Sequence, residues 1–405
     1  MVTKKYIPLA IFDDIDALID ARIPQTLPAL FHHDFKQACT YLLAYQHKAT
    51  TFRVYRRELE RFCQWQWFFA QVPLHDIETT DLENYLSFCQ MPPKHWIAPA
   101  NVKRFIFKNG QHIQNPVWRP FVHRPPDNTG KPTPHRLSEK SLRDILGFLT
   151  GFFNHCLQTH YLTKNPVNLI KQKNRFYRSR QSEQVTRRLT ALQWDFVLET
   201  AEALAQLEPN KHERTLFVIS VLFGLYLRIS ELVPRTVNEI VRIPLMKDFY
   251  QDSEENWWFR TIGKGNKERD IAVSQSVLNA LIRWREHLKC DTALPFHNDQ
   301  QPLIPGRNPY KPIQSTRQIR RIVKTCFDVA ISKMEAEGLA DKAEQLRHAT
   351  VHWLRHTGIS EDVKHRPREH VRDDAGHSSS LITDKYIDIN REERHHSAQN
   401  KVLSN

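Results

Sequence analysis

From Asp34 onward, apolar side chains recur at three- and four-residue spacing. Phe52, Tyr55, Leu59 and Phe62 set the pattern of an amphipathic helix. Upstream the pattern is weak, and Pro8, Pro24 and Pro28 interrupt any helical period, so residues 1–33 are expected to form an N-terminal extension. Thr80 and Glu83 have the spacing of a capping box ahead of Leu82, Leu86 and Cys89, which predicts a helix start there. A further helix is predicted after Ser138, with Leu142, Ile145, Leu146, Leu149, Phe153 and Cys156 on one face, stopping near Asn165-Pro166. Thr190 opens the next, and Leu216 to Leu227 is strongly apolar and helical.

The clearest strand signal is Trp257 to Ile262, followed by a turn at Gly263-Lys264-Gly265-Asn266-Lys267 and a return along Asp270 to Val273. That order predicts a β-hairpin with Lys264 at its tip. Helices are expected again from Val277 to Leu288 and from Ser315 to Ala330. No internal repeat or low-complexity tract interrupts the pattern.

Punctuation divides the chain. Nine of the 23 prolines fall between Met91 and Arg136, many beside basic or aromatic residues, which predicts a long irregular excursion inside a helical domain. Lys171 to Arg188 holds seven basic residues, one acid and no apolar period. The expected organisation is an extension (1–33), a helical domain (34–170) with a basic, Pro-rich insertion at about 91–136, a basic linker (171–188), and a second, mixed domain (189–405).

Composition narrows the function classes. Hydrophobic residues make up 40% and charged residues 25%, an ordinary globular balance. No run approaches the roughly 18 apolar residues of a membrane span, and the start lacks a signal-peptide core, so a cytoplasmic protein with no membrane partner is expected. Cys39, Cys63, Cys89, Cys156, Cys290 and Cys326 are scattered without a C-x-x-C pair, which reads as reduced core cysteines rather than a zinc site or disulfide framework.

The net charge of +13 is local. Lys94 to Arg188 contains eighteen Lys or Arg against four acids, a surplus of +14, while the rest of the chain is nearly neutral. Basic residues interleaved with Trp96, Phe105, Phe107, Trp118, Phe121, Phe176 and Tyr177 suit a polyphosphate backbone, where neutralising phosphates releases counterions. Lys94, Lys103, Arg104, Lys171, Lys173, Arg175, Arg178 and Arg180 are the candidate DNA contacts. Taken alone, the same charge also fits a solvated surface, RNA or an anionic membrane.

Five polar features stand out in the second domain: Arg228 after the apolar helix, Lys264 on the hairpin, His352-Trp-Leu-Arg355, Gly376-His377, and Tyr386 nine residues later. Singly each has a bland reading: an ion pair of Arg228 with Glu231, a solvated turn lysine, a surface His–Arg pair, a packed tyrosine. Their order and spacing, with the words Leu-Arg-Ile-Ser-Glu-Leu, Gly-Lys-Gly-Asn-Lys-Glu-Arg and His-Trp-Leu-Arg-His-Thr, resemble the catalytic signature of the tyrosine recombinases (phage integrases), from about Gly224 to Tyr386.

The resemblance implies a mainly α fold with a small β-sheet. It would be a two-domain DNA clamp built from a helical, SAM-like core-binding domain and a mixed α/β catalytic domain. It also implies site-specific recombination through a 3′-phosphotyrosyl intermediate, integrating or excising a mobile element. Tyr386 would be the nucleophile, with Arg228 and Arg355 clamping the phosphate and His377 adding a hydrogen bond. His352 would accept the tyrosine proton, and Lys264 would protonate the leaving 5′-oxygen. No metal or other cofactor is expected. The implied partner is double-stranded DNA, bound by a protein that is monomeric in solution and tetrameric on paired sites, with accessory DNA-bending proteins as further candidates and the bacterial nucleoid as the location. A type IB topoisomerase-like enzyme and a catalytically inactive DNA-binding regulator are the alternatives. Three features depart from the family pattern: the 91–136 insertion, Asp373-Asp374-Ala375 where apolar residues are typical, and Gly358 where a larger residue is common.

Overall fold

The computed structural model describes residues 6–123, 135, 137–168, 170, 187–237, 239–263 and 265–377. The chain divides between Glu183 and Gln184 into two units, each with its own apolar core.

The first unit is built on helices α1 (Ile15–Ile19), α2 (His32–Leu43), α3 (Ala49–Trp65), α4 (Thr79–Gln90) and α5 (Glu139–Gln158). Ser138 caps α5 by accepting the Ser141 N–H at 3.2 Å, and the predicted apolar face from Leu142 to Cys156 is buried. The start of α4 lies slightly upstream of the expected box: Asp81 accepts the Glu78 N–H at 2.9 Å, so the helix begins at Thr79.

The N-terminal segment is not a separate extension. Ala10, Phe12, Leu18, Leu27 and Phe31 are buried, and most of them join the aromatic core around Phe35, Phe62 and Trp67. The anchor is Glu60, a fully buried carboxylate that accepts the backbone N–H groups of Ile11 (2.6 Å) and Phe12 (3.3 Å). A segment fixed by one buried acid needs no helical period of its own, which is why its pattern is weak.

The Pro-rich stretch has more order than its composition predicts. Strand β1 (Ile97–Ala98) pairs in parallel with β4 (Phe121–Val122), while β2 (Phe105–Lys108) and β3 (Gln111–Gln114) form an antiparallel hairpin. Trp96, Trp118 and Phe121 bury their rings beneath it.

In the second unit, α6 (Ala191–Leu207) is opened by a Thr190–Gln193 capping box and packs on α7 (Pro209–Gly224). Strands β5 (Arg235–Val237) and β6 (Ile240–Arg242) form a short ribbon. Strands β7 (Phe249–Gln251), β8 (Trp257–Ile262) and β9 (Glu268–Ala272) form an antiparallel sheet in that order. The expected hairpin is therefore present with a third strand added, and Phe259, Thr261 and Ile271 face the core. Helices α8 (Gln275–His287), α9 (Thr316–Ala336), α10 (Ala340–Arg347), α11 (Val351–Asp362) and α12 (Arg368–Ala375) complete the unit. All six cysteines are free thiols, five of them buried. Among the described residues no helix is long and apolar enough to cross a membrane.

Candidate active site

Helix α7 delivers the first arginine. It ends at Gly224, the chain passes through buried Leu225, Tyr226 and Leu227, and Arg228 emerges at the start of a 3-10 turn, Ile229–Leu232. Tyr226 has a left-handed φ of 49°. That conformation turns its carbonyl onto the Arg355 guanidinium. The departure at Gly358 now has a cause: a Cβ there would collide with the Phe223 carbonyl oxygen, so glycine lets α11 close on α7.

Glu231 organises the arginines. Its carboxylate has no exposed surface; it accepts the Arg228 backbone N–H at 3.0 Å and Arg228 Nη1 at 3.1 Å. It also receives Arg269 from β9, with Nη1 at 3.2 Å and Nη2 at 2.9 Å. Burial alone raises the Glu231 pKa, but the hydrogen bonds and charge of Arg269, helped by Arg228, outweigh it and hold the carboxyl below its usual value. The Arg228–Glu231 ion pair of the bland reading is thus real and shared with Arg269.

Helix α11 supplies the second arginine. Arg355 is 2% exposed, donates to the carbonyls of Tyr226 and Ala375 (the latter 2.7 Å), and lies 3.3 Å from His377 Nε2. Helix α12 explains where His377 comes from. Its last carbonyls hold two guanidiniums: that of Asp374 accepts Arg269 Nε at 2.9 Å, and that of Ala375 accepts Arg355. Gly376, at a φ of 64°, then turns the chain left-handed and releases His377. The departure at Asp374 also has a role: its buried carboxylate pairs with Arg366 at 2.6 Å and accepts the Ala272 N–H at 3.4 Å, tying α12 to β9.

Three imidazoles line this cluster. His377 is pushed down to about 4, first by burial and then by Arg355, Arg228 and Arg269. His356 is also pushed down to about 4, by burial, then His352, Arg355 and His377. His352 and His356 stand edge to face, ring centroids 4.6 Å apart. Although His352 is the more exposed, the protein crowding its ring, then Arg355 and Arg228, hold it below its usual value. Near neutrality all three imidazoles are uncharged, each offering one N–H and one lone pair beside three guanidiniums and the Glu231 carboxylate.

These shifts have a stability consequence. Unfolded imidazoles titrate near 6.5, so between that value and about 4 the unfolded chain binds more protons at His356 and His377 than the folded one. The corresponding stability is fully present above pH 6.5 and is lost as pH falls through about 4. Tm is therefore expected to decline across this window, and His356→Gln to make the decline shallower. Thermal melts of the variant that parallel wild type throughout would show that His356 is not held neutral by the fold.

Of the residues singled out from sequence, Arg228, His352, Arg355 and His377 come together here, with His352 the most exposed. Lys264 and Tyr386 lie outside the described residues, as do Lys171, Lys173, Arg175, Arg178 and Arg180. The hairpin base does reach the cluster: a Cβ at Gly263 would sit 3.5 Å from Arg228 Nη1 and 2.8 Å from Arg269 Nη1. Lys94 and Lys103 are exposed in the first unit.

Arg104 is corrected. Its side chain is 16% exposed and turned inward, paired with buried Glu60, hydrogen-bonded to the Phe12 carbonyl at 3.2 Å and stacked over Trp118 at 4.7 Å. It braces the core in place of a phosphate contact.

Arg269 is the site residue that sequence reasoning passed over. It lies in the charged run Glu268-Arg269-Asp270, which reads as a solvated face. The ladder register pairs it with buried Thr261, on the same inward face as Phe259 and Ile271, and that alternation is the signal that points to it. Among the described residues, no group of three or more His, Cys, Asp or Glu side chains is placed to hold a metal ion.

No family model matches the sequence, and no curated protein does. Solved structures do match. The post-cleavage complex of the XerH site-specific recombinase bound to a palindromic difH substrate is 15% identical, covering 95% of this chain and 93% of that one with a TM-score of 0.57. The XerH pre-cleavage complex gives 15% identity, 95% and 92% coverage and a TM-score of 0.53. The Tn1549 transposon integrase in complex with a circular intermediate DNA gives 15% identity, 90% and 99% coverage and a TM-score of 0.52. The chain thus has the mainly helical fold with small sheets seen in these recombinases, over nearly its whole length.

Proposed function

We propose that this chain is a site-specific DNA recombinase that cuts and rejoins strands through a tyrosine nucleophile, and that it integrates or excises a mobile element. The observation that carries the reading is the convergence of Arg228, Arg355 and His377, with His352 beside them, on one cationic centre within this fold.

Attack on a phosphodiester builds negative charge on the non-bridging oxygens. Fixed donors at that point stabilise the transition state more than the ground state. Arg228 and Arg355 provide the guanidiniums and His377 a neutral N–H. The oxygen of Tyr386 bonds to phosphorus and its proton passes to His352, whose depressed pKa keeps it free to accept one. The P–O5′ bond breaks, and Lys264 on the hairpin supplies the proton that the departing 5′-oxygen takes. Rejoining reverses these steps on a new 5′-hydroxyl. The phosphotyrosyl bond conserves the energy of the broken diester, so no nucleotide is consumed.

Strand exchange between two duplexes needs a protomer at each of four cleavage points. The reading therefore includes a monomer in solution that becomes a tetramer on paired sites. The direct test is a duplex nicked beside the cleavage point, which releases a short fragment after cutting and prevents rejoining. The wild-type chain is expected to become trapped on it; relaxation of any supercoiled plasmid without a preferred site would favour a topoisomerase instead.

The basic linker is assigned to phosphate binding. Neutralising Lys171, Lys173, Arg175, Arg178 and Arg180 together is expected to flatten the dependence of log affinity on log salt by about four units, since each phosphate left unneutralised by the protein lowers the slope by roughly 0.9. An unchanged slope in a salt titration would place the phosphate-binding residues elsewhere.

A further inference from the structure

We propose that the β2–β3 hairpin of the first unit is a DNA-contacting element, with Phe107 as an apolar wedge against the bases and Lys108 on an adjacent phosphate. The proposal rests on the duplex-DNA reading above and adds to it a contact made by the 91–136 insertion.

The hairpin is regular. Phe105 faces Gln114 and Lys108 faces Gln111, and the two-residue turn is Asn109-Gly110 with φ of 52° and 76°. Two left-handed residues in succession give the tight turn whose twist matches the flanking strands. Its base is anchored. Gln114 Nε2 donates to the Ala10 carbonyl at 2.6 Å, Asn115 Nδ2 to the Lys103 carbonyl at 2.7 Å, and Arg104 is locked between Glu60 and Trp118. The tip stands clear of the core: residues 107 to 112 are all exposed.

Phe107 is 79% exposed, and its ring rests on His112 at 4.9 Å and 28°. A large aromatic held in water at the end of an anchored ribbon is a contact surface awaiting a partner. The charge around it selects that partner. Between Glu83 and Asp127 there is no acidic residue, while Lys94, Lys103, Arg104, Lys108, Arg119 and Arg124 fall in the interval. A second copy of this chain would bring the same basic tip and be repelled. A duplex offers phosphates for the lysines and stacked bases for the ring: a two-stranded ribbon fits a DNA groove, and apolar wedges such as Phe part base steps and bend the helix.

The experiment uses the full chain and a mixed-sequence duplex labelled at both ends. Anisotropy gives affinity across a salt series, and energy transfer between the labels gives bending. Phe107→Ala is expected to bind about tenfold more weakly at every salt concentration, with an unchanged slope and less bending. Phe107→Trp restores both, and Lys108→Ala lowers the slope by about one unit. Since Phe107 lies outside the core, these variants keep the fold. Wild-type affinity and bending in Phe107→Ala overturn the proposal while leaving the DNA reading intact. A change in self-association in place of DNA binding, seen by sedimentation, overturns it in favour of a protein-docking role. Failure of the wild-type chain to bind the duplex defeats the DNA reading itself.

Discussion

A Tyr386→Phe protein is expected to bind duplex DNA as wild type does and to form no covalent adduct. The substitution removes one oxygen and leaves the ring, so folding and affinity have no reason to change, whereas the attacking atom is gone. Cleavage should fall to the uncatalysed background, the largest loss any single change in this chain can produce. Denaturing gels after incubation with the nicked duplex read the result directly. An adduct retained by the variant would remove Tyr386 from the reaction and with it the spacing of nine from His377 that pointed to it.

Arg355→Ala comes second and carries two penalties that can be measured apart. Losing one fixed donor to the developing oxyanion is expected to slow cleavage by about two to three orders of magnitude. Arg355 is also 2% exposed, and its truncation strips buried carbonyls of Tyr226 and Ala375 of their donor. Each unsatisfied group costs about 1–3 kcal/mol, so Tm should fall as well. Arg228→Ala provides the contrast. Arg228 is 24% exposed and satisfies no buried carbonyl in the cluster, so it should show the catalytic loss with a smaller drop in Tm. Cleavage by Arg355→Ala at the wild-type rate, in protein shown to be folded, would take Arg355 out of the clamp.

The sequence made some of this visible for reasons that can be named. Ser138, Thr190 and Ser315 open the helices predicted from them because a cap is a local device, and the hairpin at Trp257–Ile262 shows because its alternation meets a core on one side. Arg228, His352, Arg355 and His377 were legible through their mutual spacing. What stayed hidden depends on partners distant in sequence. The first thirty residues are held by Glu60, Arg104 is drawn inward by the same carboxylate, and Arg269 is placed by strand register. The β2–β3 hairpin was obscured by the prolines around it, though Asn109-Gly110 between Phe-Ile-Phe-Lys and Gln-His-Ile-Gln was its signature. In each case the sequence carried the residue but not the partner that gives it meaning.

The carboxylate shared by Arg228 and Arg269 also sets an order in which activity could erode over evolutionary time. If Arg228 is replaced, Glu231 keeps both bonds to Arg269 and no buried charge is stranded, so a folded lineage can survive the loss. Replacing Arg269 leaves Glu231 with only a partly exposed partner, and replacing Arg355 uncovers two carbonyls in the core. Descendants that keep the fold as silent DNA binders should therefore be recognisable by a change at position 228 that precedes any change at 269 or 355. The arginine most directly spent on catalysis is the one the scaffold can most easily do without.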